Sequence, residues 1–284
     1  MKKMFISAGL LVCLLLTLST TVAVADTMLG NDKAKVDVAN LASGYVKVAY
    51  TGGQDKKIRV RITSPAKVQY DYDLNNKGNY EVFPLSAGNG KYTIGVYVNV
   101  ADTKYSVAYT ADVDVKLSNE FAPFLVANQY VNYSGSSAVV AKAAELAKGR
   151  TSDLEKINAI YDYVVNTFTY DTAKAKTVQG GYLPVVDTIL EKKTGICFDY
   201  SAVLAAMLRS QNIPCKLVIG YAETVYHAWI NIYTKETGWL ENYISFDGRT
   251  WKRSDPTYDS TAGGSKKVKE YINTDSNYQP KYQY

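Results

Sequence analysis

The apolar residues of this chain change their spacing near residue 120, and that change limits what it can fold into. From 36 to 117 they recur at every second position. "YVKVAY" (45–50) alternates, and "KIRVRIT" (57–63) sends Ile58, Val60 and Ile62 one way and Arg59, Arg61 and Thr63 the other. "YTIGVYVNV" (92–100) and "YSVAYTADVDVKL" (105–117) continue the pattern. Alternation marks half-buried strands, and the Gly-, Asn- and Asp-rich breaks "TGGQD", "NNKGN" and "SAGNG" are turns. Six or seven short strands in about 85 residues predict an antiparallel β-sandwich of immunoglobulin-like architecture. No cysteine falls in this stretch, so its core alone must hold it.

Within it, "DYDLNNKGNYEV" (71–82) opens like a calcium loop with Asp71, Asp73 and Asn75. Asn76 then stands where the sharp-turn glycine belongs, Val82 stands where the bidentate glutamate belongs, and helical flanks are missing. The segment is read as a hairpin loop.

After residue 120 the period becomes helical. "SSAVVAKAAELAKG" (136–149) has serines to start a helix and Gly149 to end it. Ser152, with Glu155 three residues on, is a capping-box signature opening a second helix. Ile157, Ile160, Tyr161, Val164 and Phe168 form the apolar stripe of that helix. Residues 169–183 read as a long loop, 184–193 as a short helix begun by Pro184, and 197–209 as a third long helix. Strands follow at 216–221, 227–234, 239–246 and 249–255, the last two joined by a tight "DG" turn at 247–248. The second half is therefore α+β, helices first and then a mostly antiparallel sheet.

The first 25 residues have a different character. Lys2 and Lys3, an apolar run from 4 to 18 and Ala23-Val24-Ala25 make a secretory signal peptide with cleavage expected after Ala25. The apolar run is short for a membrane span, and no other run approaches one. The expected organisation is a signal peptide (1–25), a β-sandwich domain (26–118) and a catalytic domain (119–284), in a protein secreted or held at the cell surface. Removal of the leader lowers the net charge from +5 to +3. The basic residues are scattered rather than clustered, which argues against a nucleic-acid footprint. Tyrosine, at 25 residues, suits strands and an aromatic-lined binding surface.

Two cysteines remain in the mature chain, Cys197 and Cys215. Exported proteins often pair their cysteines, but a helix from 197 to 209 rises about 18 Å at ~1.5 Å per residue. Cys215, six residues beyond its end, then lies at the far end of the helix from Cys197. A disulfide needs α-carbons within about 7 Å. Cys215 is read as a small buried hydrophobe. Cys197 sits in the first helical turn, after Gly195, where unpaired backbone N–H groups favour a thiolate and can hold an oxyanion. Its base can only be His227, the single histidine. On the 227–234 strand, Tyr226, Ala228, Ile230 and Ile232 form an apolar face, which puts His227, Trp229 and Asn231 on the other. A carboxylate should orient the imidazole. Asp255 before Pro256 is a candidate, with Asp259 and Asp247 as rivals. A zinc site from these residues lacks a fourth ligand.

The segments "GICFDYSAVLAAMLRSQNIPCKLVIGY", "YHAWINIY" and "WKRSDPT" resemble the transglutaminase-like superfamily, whose core is related to the papain fold. The likeness covers about residues 150–258 and extends to exported bacterial members with a β-domain ahead of the catalytic core. It implies Cys197 as nucleophile, His227 as general base and acid, and Asp255 as the orienting carboxylate. It further implies a thioester acyl-enzyme formed on protein or peptide amides, cell-surface or cell-wall peptide included, and resolved by water or an amine. A cysteine protease, a cell-wall peptidase and a surface-binding protein with a vestigial triad are the alternatives. No cofactor and no metal are implied. Animal transglutaminases use a tryptophan upstream of the nucleophile to stabilise the oxyanion. Here Trp229, Trp239 and Trp251 all follow Cys197. Tyr182, as a hydroxyl donor, and Trp229 are the candidates for substrate or oxyanion contacts.

Overall fold

The computed structural model describes residues 27–53, 55–222, 224–235, 237–240 and 278–284. The alternating half forms eight strands, β1 (Met28–Gly30), β2 (Ala34–Asp37), β3 (Tyr45–Tyr50), β4 (Ile58–Thr63), β5 (Gln69–Leu74), β6 (Glu81–Pro84), β7 (Gly90–Ala101) and β8 (Lys104–Val115). They make two antiparallel four-stranded sheets, ordered β1-β2-β3-β6 and β5-β4-β7-β8. The period-two rows do what alternation requires. Ile58, Val60 and Ile62 of β4 and Val46 and Val48 of β3 are buried in one core, and the intervening residues of β4 stay partly exposed.

The 75–80 segment is not a hairpin. β5 pairs with β4 and β6 pairs with β3, so the segment crosses from one sheet to the other. Asn75 closes the loop on itself by donating from its backbone N (2.8 Å) and Nδ2 (2.7 Å) to Glu81 Oε1. Asp71 is gripped across the β4–β5 ladder by Arg61, through Nε (2.6 Å) and Nη2 (2.7 Å).

The helical half begins with α1 (Ala138–Ala147) and α2 (Asp153–Thr167). The α2 start has the reciprocal capping box expected of Ser152 and Glu155. The expected long loop at 169–183 instead holds β9 (Thr169–Tyr170) and α3 (Thr172–Thr177). The Asp171 side chain caps α3 by accepting from Lys174 N at 2.8 Å. Then come α4 (Val186–Lys192), β10 (Thr194–Gly195) and α5 (Cys197–Ser210). β9 and β10 form a short parallel pair. α5 is buried at every position from Asp199 to Arg209 and packs against α1, α2, α4 and the strands that follow it. A helix apolar on nearly all sides must be central.

The last sheet, β13-β12-β11-β14, is antiparallel. It contains β11 (Cys215–Ala222), β12 (Val225–Thr234), β13 (Gly238–Leu240) and β14 (Tyr278–Gln283). Residues 241–277, which include the expected 249–255 strand, lie outside the described residues. β14 also ties the halves together: Ser86 Oγ donates to Gln283 O at 2.6 Å, and Tyr282 packs edge-on to Tyr70 at 5.4 Å. One large hydrophobic core draws on residues from Ala34 to Tyr284, on both halves of the chain. Among the described residues no helix is long and apolar enough to cross a membrane.

Candidate functional site

Cys197 is the first residue of α5. Ile196, its extended N-cap, turns the chain from β10 into the helix. The turn needs Gly195: a Cβ there would lie 2.5 Å from Asp199 Cβ. The thiol is half-buried and unpaired, and it lines a cavity of about 650 Å³. Cys215 is also free, and it is fully buried. Burial pushes its thiol up to about 12, against the pull of the Arg209 guanidinium. The two cysteines are separated by the intact length of α5, as the helix geometry demands.

His227, on β12 opposite Gly220 of β11, is buried and lines the same cavity as Cys197. The alternation along β12 is as expected from Ala228 onward. Ala228, Ile230 and Ile232 enter the main core with α5, whereas Trp229 joins a smaller cluster with Val218, Ala222 and Tyr278. Tyr226 departs from that pattern, because it stays exposed at the cavity rim. Trp229 is fully buried, stacked beside His227 at 6.4 Å between ring centroids, and is not among the cavity's lining residues. It supports the histidine rather than facing a ligand. Asp255 and its rivals Asp247 and Asp259 lie outside the described residues.

The cavity is lined from both halves of the chain. Gln179–Leu183, following α3, form one stretch of wall, and Arg59, Asp71 and Asp73 of β4 and β5 form another. The β-rich half is therefore part of the site. Gln129 fixes that wall by donating from Nε2 to Asp73 O (2.6 Å) and Glu81 Oε2 (2.5 Å). The Tyr130 ring lies between Phe198 (5.4 Å) and Tyr284 (4.6 Å).

Residues 140–244 match the family model of the transglutaminase-like superfamily. This chain carries a transglutaminase-like domain. The chain is 26% identical over 191 residues to the protein YebA of Bacillus subtilis, a match covering 59% of this chain and 26% of that protein. It thus spans about a quarter of the length of that curated relative. Among solved structures it is similar to a candidate cysteine protease of Cytophaga hutchinsonii (TM-score 0.41, 16% identity, 84% of this chain and 83% of that one). It is also similar to red sea bream transglutaminase (TM-score 0.35, 11% identity, 81% and 53%).

Sequence reasoning missed two polar residues of the transglutaminase-like domain, Asp199 and Lys174. Asp199 is fully buried in the first turn of α5. Its Oδ2 accepts from Ile196 N (2.8 Å) and Lys174 Nζ (2.5 Å), and its Oδ1 accepts from Tyr182 Oη (2.5 Å). Lys174 Nζ also donates to Tyr182 Oη at 2.7 Å. Tyr182 lines the cavity, but its phenolic proton is given to Asp199, so its hydroxyl has a fixed partner away from a substrate oxygen. Burial first, and the Asp199 carboxylate second, raise the phenol above its usual range. The signal for Asp199 was present in the sequence: it is the single acid in "CFDYSAVLAAML", a helix with no polar face to solvate it.

Proposed function

We propose that this chain is an exported cysteine enzyme that forms a thioester on protein or peptide amides and passes the acyl group to water. The observation that supports it most is that Cys197, at the N-terminus of a buried helix, and His227 line one cavity. In this reading the Cys197 sulfur attacks the amide carbonyl carbon while His227 takes the thiol proton. His227 returns that proton to the departing amine or ammonia. First-turn N–H groups of α5 hold the oxyanion, and they are available because Asp199 takes the Ile196 N–H instead. His227 then draws a proton from water, which cleaves the thioester to acid and free thiol. Asp255 is proposed to orient His227.

Water is the favoured acceptor because a crosslinking enzyme must shelter its thioester until an amine arrives. Among the described residues no tryptophan lines the cavity, and the Cys197 thiol is only half-buried. Lys174 of α3 is paired with Asp199, so repulsion of an incoming ammonium by it contributes little to this preference. The test is incubation with a glutamine peptide library, with and without millimolar primary amine, read by mass. Deamidated or cleaved product should exceed amine adduct. A dominant, Cys197-dependent adduct would make crosslinking the better description. Export rests on the leader at 1–25 and is checked by N-terminal sequencing of the released protein, expected to begin at Asp26.

A further inference from the structure

Asp199 is a buried ionisable group that takes no part in the proposed bond-making steps. Its carboxylate is out of reach of water two residues from the candidate nucleophile, where an uncompensated negative charge would oppose a thiolate. Lys174 answers it at 2.5 Å, and the hydroxyl of Tyr182 accepts from one partner and donates to the other. Lys174 also stands 4.1 Å from the centre of the Tyr182 ring. The three groups come from α3, from the cavity wall after it, and from the first turn of α5. Behind them the same segment is sewn to β10, with Asp171 N donating to Gly195 O at 2.9 Å.

We infer that Lys174, Tyr182 and Asp199 are positioning residues, a charge-neutral clamp that docks the 172–183 wall on the first turn of α5 and screens the Cys197 thiol from the Asp199 charge. This rests on the reading of Cys197 as the nucleophile. Loss of Lys174 alone should uncover the carboxylate; loss of both charges should not. Other charged or titratable groups lining the cavity with the thiol are Arg59, Asp71 and Asp73 of β4 and β5 and His227 of β12. On the elements packed beside it, Asp171 caps α3, while Lys176, Lys192 and Lys193 are exposed. All of them stay constant across the variants below, so differences report on the pair.

The experiment follows iodoacetamide alkylation of Cys197 against pH in the full chain, mapped by peptide mass, with thermal unfolding in parallel. The variants are Lys174→Met, Asp199→Asn and the double variant Lys174→Met/Asp199→Asn. Lys174→Met should slow alkylation at neutral pH about tenfold or more and move the curve to higher pH, as expected for one uncovered charge several ångströms away. The double variant should recover to within about threefold of the parent, since no net charge is left. Asp199→Asn should move the curve to lower pH, and it decides the matter if Lys174→Met does not fold. An unshifted Lys174→Met curve, a double variant as slow as Lys174→Met, or an unshifted Asp199→Asn curve overturns the clamp. If Cys197 in the parent reacts no faster than Cys215, the nucleophile reading itself fails. A fast Cys197 with unshifted variants fails the clamp alone.

Discussion

At the N-terminal end of α5 a buried carboxylate, Asp199, lies two residues from a half-buried thiol. At its C-terminal end a buried guanidinium, Arg209, hydrogen-bonds the carbonyl of a fully buried one. Both charges complement the helix dipole. Asp199 has a cationic partner and a cavity beside it. Arg209 is held by main-chain oxygens: Cys215 O at 2.9 and 2.8 Å, Val126 O at 2.7 Å and Tyr284 O at 2.6 Å. Burial lowers its affinity for its proton. One helix thus uses a buried charge at each end in different ways: at one it lies beside the cavity that Cys197 lines, at the other it joins three chain segments. Polarity of the helix alone does not decide which; access to the cavity does.

The largest expected effect separates the two thiols. Cys197→Ala should remove about a thousandfold or more of the activity with folding unchanged, whereas Cys215→Ser should keep most of it. His227→Gln should be nearly as damaging as loss of the Cys197 thiol, because the chain has no second histidine. Asp255→Asn should act more mildly, through imidazole orientation. A greater loss from Asp259→Asn, with Asp255→Asn harmless, would reassign that role. Peptide turnover assays on the purified variants read all of these.

At the Arg209 end the effect should fall on stability. Arg209→Met removes four hydrogen bonds to the main-chain oxygens of three segments and should cost about 3 kcal/mol, visible as a lower urea midpoint with KM unchanged. A variant with parental stability and altered KM would erase the contrast between the ends. The Cys215 thiol sharpens it through pH. Its folded value is raised to about 12 and lies above that of the unfolded chain. The folded state therefore disfavours the thiolate, and stability is lost as pH rises from about 9 toward 12. In the folded protein Cys215 should resist alkylation at pH 9 and react readily in urea. Cys215→Ser, which buries a hydroxyl, should cost about 1–2 kcal/mol, the smallest of these effects.

Strand and helix periods were legible because burial enforces them residue by residue. β3 spans the expected 45–50, β4 begins one residue inside its expected segment, and the Ser152–Glu155 box opens α2. The turn from Gly195 into Cys197 was readable for the same local reason. What depends on distant partners was not. α3 hides in a lysine-rich stretch whose stabilising contact, Lys174 to Asp199, spans 25 residues. The 75–80 crossing depends on which sheet each neighbouring strand joins. β14, with Pro280 in its middle, is polar by sequence and becomes a strand because β11 offers it an edge. Asp255 rests on the sequence resemblance alone.

If Cys197 carries the acyl group, intact-mass spectrometry of acid-quenched turnover will capture it there. With a glutamine or peptide substrate, a covalent adduct should map to Cys197, be labile to hydroxylamine, and be absent from Cys197→Ala. Turnover that persists in Cys197→Ala, or an adduct that maps elsewhere, would contradict it.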